Sequence, residues 1–323
     1  MVAMPNQSLL KPPALRPGDT VGIVAPASNI KREMLEAGCE TLKRMGYKPF
    51  YFDSIFDQDL YFAGSVERRA REFDAMFRDN TVKAIICARG GYGANYLLPL
   101  LDMDMIARNP KVFVGCSDIT CLLTYISDKT GMVTFHGPMV AGDFARNQVD
   151  TPSWQASVEG VSAWSIGSSS GAVPLIEGSG EGTLYGGCLS ILVASLGTPY
   201  EISTDGTILF IEDVNAKPYQ IDRMLMQLKL AGKFAKVRGI VFGEMLDCRQ
   251  NENQGYTLQE VILRIIGNLN VPIAYGMRSG HVTRDSITLP IGAQARLTVS
   301  NEVTLDIFNG AIAQASSVRS AKL

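Results

Sequence analysis

Short apolar runs alternate with amphipathic stretches through the first half of the chain. Val21-Gly22-Ile23-Val24-Ala25 is a continuous apolar run, the pattern of a strand buried on both faces. Met34, Ala37, Thr41, Leu42 and Met45 then recur at helical spacing, and residues 47–52 read as a second strand. Pro49, which cannot donate to a ladder, places that strand at a sheet edge. Val66, Ala70, Phe73 and Phe77 mark the next helix, with Glu67, Arg68 and Arg71 expected to face water. Ala84-Ile85-Ile86-Cys87 and Val112-Phe113-Val114 are two further strands, and Ile119, Leu122, Leu123 and Ile126 define the helix that follows. This alternation predicts a parallel sheet with helices on both faces.

The pattern weakens between Asn147 and Gly182, where Ser, Gly and Pro accumulate, as in Gly167-Ser168-Ser169-Ser170-Gly171. An interdomain connection is expected there. Beyond it, residues 207–211 read as a strand and Ile221, Met224, Leu225 and Leu228 as a helix face. Residues 239–242 and 271–275 read as strands. Thr257-Leu258-Gln259-Glu260 has the form of a capping box opening a helix. Alternation around Ser300-Asn301-Glu302 signals a hairpin. The expected division is 1–146, a linker at 147–182, and 183–323.

A chain of 323 residues has ample length for two domains. With 46% hydrophobic and 19% charged residues, it excludes a disordered polypeptide. A net charge of -2 without a Lys or Arg run offers no footprint for nucleic acid or an anionic membrane. No stretch approaches the roughly 18 apolar residues that span a bilayer, and the first 16 residues lack the apolar core of a signal peptide. A cytoplasmic protein is expected. The six cysteines form no C-x-x-C pair and read as reduced core thiols; Cys116, beside a candidate nucleophile, should point the opposite way from it.

Only two histidines occur, His136 and His281, so a serine nucleophile working near neutral pH has few choices of base. Strand, then Gly115-Cys116-Ser117-Asp118, then helix is the order of a nucleophile elbow, although Ile119 stands where G-x-S-x-G has its second glycine. The same junction also suits Ser117 or Asp118 as a helix N-cap. Arg89-Gly90-Gly91-Tyr92-Gly93 follows a strand, and its glycines let backbone N–H groups approach a phosphate or an oxyanion; a purely structural turn is the alternative. Its spacing matches neither nucleotide-binding glycine motif. Glu212 and Asp213 end an apolar strand, where a carboxylate can orient a histidine or stand as an exposed loop acid. His281 falls on a polar loop, accessible to substrate; His136, in Phe135-His136-Gly137-Pro138, reads as structural or substrate-lining.

Together these segments resemble the LD-carboxypeptidase family of serine peptidases, which includes muramoyl-tetrapeptide carboxypeptidases and microcin C immunity hydrolases. The likeness runs through Pro17-Gly18-Asp19, Val24-Ala25-Pro26-Ala27-Ser28, the Arg89–Gly93 and Gly115–Thr120 segments, Gly186-Gly187, Ile211-Glu212-Asp213-Val214, residues 218–225, Gly280-His281 and Pro290-Ile291-Gly292. The resemblance implies Ser117 as nucleophile, His281 as general base and acid, Glu212 as its orienting carboxylate, and the N–H groups of Gly91 and Asp118 as oxyanion hole. It implies a flavodoxin-like N-terminal domain, a smaller mixed α/β C-terminal domain, an active site between them, and a homodimer. Peptidase action on a muropeptide, removing a C-terminal D-amino acid without metal or cofactor, is the activity implied. Hydrolysis of a peptidyl-nucleotide is the alternative. Cys188 stands where the family usually has Asn. Arg89 and Arg278 are candidates for holding a free carboxylate, and Tyr185 for aromatic stacking.

Overall fold

The computed structural model describes residues 9–249 and 255–313. The first half contains β1 (Thr20–Val24), α1 (Arg32–Arg44), β2 (Lys48–Phe50), α2 (Val66–Arg78), β3 (Val82–Cys87), α3 (Met103–Arg108), β4 (Val112–Gly115), α4 (Thr120–Thr130) and β5 (Thr134–His136). These five strands pair in parallel in the order β2-β1-β3-β4-β5. That is the flavodoxin-like order, whose strand sequence reverses between β1 and β3; the loops leaving those two strands diverge and open a crevice at their carboxyl ends. Alternate residues build the two apolar layers of a doubly covered sheet. Ala84, Ile86, Val112 and Val114 enter one layer, while Ile85, Cys87 and Phe113 enter the other.

Pro49 lies in the edge strand, as its missing donor requires, although that strand is only three residues long. Arg68 departs from the expectation of a solvated face. It is buried, in an ion pair of 2.5 Å with buried Glu72, which also accepts from Ser54. Pairing makes the burial of that charge tolerable.

Residues 147–182, expected to be a plain connection, hold α5 (Thr151–Gln155), β6 (Trp164–Ile166), β7 (Val173–Ile176) and the start of β8 (Gly178–Cys188). Then come α6 (Leu189–Ala194), β9 (Thr207–Glu212), α7 (Pro218–Leu230), β10 (Gly239–Gly243), α8 (Leu258–Ile266), β11 (Ile273–Met277), β12 (Leu289–Ile291), β13 (Gln294–Val299) and β14 (Val303–Ile307). A mixed eight-stranded sheet runs β6-β14-β13-β8-β9-β10-β11-β7, with β8 to β11 parallel. The capping box at Thr257 is formed in both directions, and β13 and β14 make the hairpin around Ser300–Glu302.

β12 crosses back and pairs antiparallel with β5, so the later part of the chain completes the first sheet. Where the carboxyl ends of the two parallel sets approach, the Cys188 N–H donates to Thr120 Oγ1 at 3.0 Å. A Cβ on Gly187 would lie 2.5 Å from that same oxygen, so close approach of β8 to α4 demands glycine.

Candidate active site

Ser117 sits on a tight turn at the end of β4. It follows β4 and opens a 3-10 turn, Ser117–Ile119, with φ at +59°, a left-handed conformation that costs a non-glycine residue about 1–3 kcal/mol. The turn closes because Gly115 has no side chain: a Cβ there would meet Ile119 at 2.6 Å. The fifth position is therefore filled by an aliphatic residue that packs back on the glycine. Cys116 is nearly inaccessible, and burial pushes its thiol well above the ordinary range.

The 89–93 glycine loop lies against this turn. A Cβ on Gly90 would stand 2.8 Å from Ser117 Cβ and 3.3 Å from Asp118 N, so the two backbones approach as only glycine allows. Three side chains hold the loop. Asp118 Oδ2 accepts the Ala94 N–H at 2.7 Å, and Ser28 Oγ accepts the Tyr92 N–H at 3.1 Å. Burial raises the Asp118 carboxyl to about 6, against the pull of the Ala94 and Gly93 amides and the Arg69 charge. Arg69, itself buried, donates to Pro26 O at 2.6 Å and Gly93 O at 2.8 Å, tying the loops after β1 and β3 together.

The second sheet contributes Glu212, the last residue of β9, and the loop after β11. Glu212 is fully buried, and its Oε2 accepts both His281 Nδ1 at 2.7 Å and the His281 backbone N–H at 3.1 Å. Gly280 makes this possible: at φ +88° it leaves room for the carboxyl, which a Cβ would meet at 2.6 Å. Burial opposes ionisation of Glu212, but the charge and hydrogen bond of His281, with His136 nearby, outweigh it and hold the carboxyl below its usual range. Burial likewise disfavours the His281 cation, yet the Glu212 charge and hydrogen bond, aided by Asp213 and Asp143, raise it above the ordinary imidazole value. Asp213 faces elsewhere, accepting the Ser190 and Val214 N–H groups.

Ser117 and His281 line one cavity of about 310 Å³, together with Arg89, Gly90, Gly91 and Gly280. No hydrogen bond joins Ser117 Oγ to His281 among the described residues. Such contacts often tighten only once substrate is bound. A hydroxyl, a carboxylate-paired imidazole and a glycine loop of close-packed amides around one cavity can support nucleophilic acyl transfer.

Not every candidate from the sequence comes to this cavity. Arg89 does, its guanidinium also donating to Asn29 O at 3.1 Å. Tyr185 does not: it is buried, donates to Asp128 Oδ2 at 2.7 Å, and lines a separate cavity of about 360 Å³. Arg278 is a brace, bonded to Ser169 O, Asp285 O and Asp150. Cys188 is buried, with Sγ 3.3 Å from Ser190 Oγ. Sequence reasoning missed the roles of Ser28 and Arg69 in holding the loop; Ser28 falls within a quoted motif, whereas nothing distinguished Arg69 from a solvated helix charge.

The N-terminal domain model of LD-carboxypeptidases matches residues 21–137, and the C-terminal domain model matches residues 181–297. The chain belongs to the LD-carboxypeptidase family. This LD-carboxypeptidase is 38% identical to the probable murein peptide carboxypeptidase of Bacillus subtilis over 91% of its own length and 93% of the relative's. It is 30% identical to the microcin C7 self-immunity protein MccF of Escherichia coli, over 88% and 92% of the two chains. A solved MccF structure superposes with a TM-score of 0.87 over 94% of this chain and all of the other, at 26% identity. The muramoyltetrapeptide carboxypeptidase structure from Oxalobacter formigenes gives 0.80 at 30% identity, over 90% and 99%. The LD-carboxypeptidase is thus a peptidase with the two-sheet α/β architecture of these proteins.

Proposed function

We propose that this chain is a serine carboxypeptidase that removes a C-terminal D-amino acid from an L,D bond of a muropeptide, converting tetrapeptide to tripeptide. The observation that carries the reading is the 2.7 Å His281–Glu212 pair facing the same cavity as Ser117 on its left-handed turn. The similarity to murein peptide carboxypeptidases supports the substrate class.

In this mechanism His281 Nε2 takes the Ser117 hydroxyl proton as Oγ attacks the carbonyl carbon of the penultimate residue. The tetrahedral oxyanion is held by the Gly91 and Asp118 N–H groups, each such donor worth about 3 kcal/mol in the transition state. Collapse breaks the C–N bond, and His281 gives its proton to the departing amine. Water, deprotonated by His281, then attacks the acyl-enzyme carbonyl, and as the C–Oγ bond breaks His281 returns that proton to Ser117 Oγ, releasing the tripeptide. Glu212 keeps the Nδ1–H tautomer in place and stabilises the transient imidazolium. Arg89, on the cavity wall, is the residue we assign to the substrate's free carboxylate. The chemistry calls for no metal or cofactor. The reading also takes the protein as a cytoplasmic homodimer acting in cell-wall recycling, with two domains divided near 147–182; no helix among the described residues is long and apolar enough to cross a membrane.

A second reading, hydrolysis of a peptidyl-nucleotide or acyl-sulfamoyl adenylate by the same residues, is favoured by the similarity to MccF. The burial of Tyr185 away from the cavity removes the aromatic group that would have stacked on a base there. Turnover of a muropeptide tetrapeptide and of a peptidyl-adenylate, compared in wild type and Ser117→Ala, tests both readings. The proposal expects the tetrapeptide to be preferred and Ser117→Ala to be inactive on it. Preference for the adenylate selects the second reading, and full activity of Ser117→Ala removes both.

A further inference from the structure

Four aromatic side chains gather beside the glycine loop, and the catalytic scheme uses none of them. Tyr61, Tyr92 and Tyr96 are 53%, 44% and 47% exposed, and Phe62 is buried among them. Ring centroids are 4.4 Å apart for Tyr61–Phe62, 5.4 Å for Phe62–Tyr96 and 5.9 Å for both Tyr61–Tyr92 and Phe62–Tyr92. Resting on the reading of the site as a muropeptidase, we propose that this platform is a glycan subsite, stacking a pyranose ring of the sugar that a muropeptide carries at its amino end.

The platform is continuous with the cavity. Tyr92 directly follows Gly91, a cavity wall residue. Tyr61 and Phe62 lie on a loop tied to the loop after β1 by the Asn29 N–H to Tyr61 O bond at 3.1 Å and the Ala63 N–H to Ala27 O bond at 2.9 Å. An enzyme that cuts the last bond of its substrate leaves nearly all of that substrate on the acyl side. A cavity of about 310 Å³ holds only part of a tetrapeptide, so the amino end and its sugar must run out over the adjoining surface.

The floor of the platform is held by packing and hydrogen bonds of its own. The buried Arg69 guanidinium stacks on the Phe62 ring at 4.9 Å while bonding the loops on either side, and a Cβ on Gly93 would strike that ring at 2.5 Å. Preorganisation removes the ordering cost from binding.

Geometry favours a sugar over a nucleobase. Tyr92 is inclined by 44° to Tyr61 and 83° to Tyr96, so the exposed rings form no parallel slot for a flat base. Ring faces carry negative charge density that attracts the polarised C–H groups of a pyranose face. Beside the rings, the exposed Asp59 and Asn95 offer acceptors to hydroxyl and acetamido groups; Asp57 and Gln58 are exposed on the first loop as well, and Arg89 on the glycine loop.

The test compares kcat/KM for a free tetrapeptide with a C-terminal D-amino acid and for the same peptide bearing N-acetylglucosaminyl-N-acetylmuramic acid. Wild type is expected to prefer the glycosylated peptide by about tenfold, mainly through KM, the scale of one or two aromatic contacts. In Tyr61→Ala/Tyr96→Ala the preference disappears while turnover of the free peptide is unchanged. Equal use of both substrates by wild type, or a preference that survives the double substitution, overturns the subsite. A loss of self-association in the double variant with the preference intact makes the patch an interface between copies and overturns it too. Calorimetric titration of the disaccharide alone separates this from the underlying reading. If neither peptide is cleaved, the muropeptidase reading fails, and the platform stands or falls on whether wild type binds the disaccharide and the double variant does not.

Discussion

Glu212 Oε1 lies 3.7 Å from His136 Nε2, on the opposite side of the carboxylate from His281, so the two histidines of the chain flank one buried acid. Among the described residues neither Oε1 nor Nε2 has a hydrogen-bond partner, and both side chains are fully buried. Ser279 Oγ donates to Ile287 O at 2.8 Å, which leaves its lone pairs to face His136 Nδ1 at 3.3 Å. His136 thereby joins the end of β5 in the first sheet to the carboxylate of β9 in the second, a positioning contact across the joint.

Replacing His136 by Phe should leave Glu212 with one partner and let its carboxyl turn from His281. The expected result is a kcat lower by about tenfold with a smaller change in KM, the scale of one lost interaction to a buried charge. His136→Gln, which keeps a donor, should recover part of the loss. Equal activity of wild type and His136→Phe would show that Glu212 is held without this contact.

The raised His281 value predicts the acid side of the pH profile. A base must be neutral to accept the Ser117 proton, so kcat/KM should fall as pH drops through a value above the ordinary imidazole range of about 6.5. Glu212→Gln removes the principal charge that raises it and leaves burial, which lowers it; the acid limb should move to lower pH as activity falls. A wild-type limb at or below that of free imidazole would contradict the His281–Glu212 coupling.

Gly280→Ala brings a methyl group to within 2.6 Å of the Glu212 carboxyl at a residue with φ +88°. Activity should drop on the order of 10²-fold or more through loss of histidine orientation, and the melting temperature should fall with the added strain. Near-normal kinetics in a folded Gly280→Ala protein would mean that the carboxylate–imidazole geometry is not needed for turnover.

Asp118 supplies a stability test with a defined sign. Its carboxyl is raised from 3.8 to about 6 in the fold, so the native state binds that proton more tightly than the unfolded chain. Its contribution therefore makes stability decline as pH rises from about 4 to about 6. Asp118→Asn keeps an acceptor for the Ala94 N–H but does not ionise, so its denaturation midpoint should gain on wild type across that window. A constant difference between the two proteins from pH 4 to 7 would rule out the raised value.

The first sheet was legible because its strands are buried on both faces and its helices repeat at 3.6, a signal carried within each segment. β6 and β7 escaped notice because they are short, lie in Ser- and Gly-rich sequence, and pair with β14 and β11, about a hundred or more residues away. Ser117, Glu212 and His281 stood out as polar residues just past apolar strands, and the structure sets Glu212 on His281 and brings His281 and Ser117 to one cavity. Tyr185 misled, since nothing in Tyr185-Gly186-Gly187 reveals that its hydroxyl is satisfied by Asp128 on a different element. The closeness of His136 to Glu212 was equally invisible, because it arises where two sheets meet rather than within either.

Mass spectrometry of the intact and digested protein after treatment with a serine-reactive phosphonate addresses the proposed nucleophile directly. One adduct is expected on the peptide containing Ser117, absent in Ser117→Ala and greatly slowed in His281→Ala. Labelling of Ser117→Ala to the wild-type extent, or an adduct at another serine alone, would contradict the account.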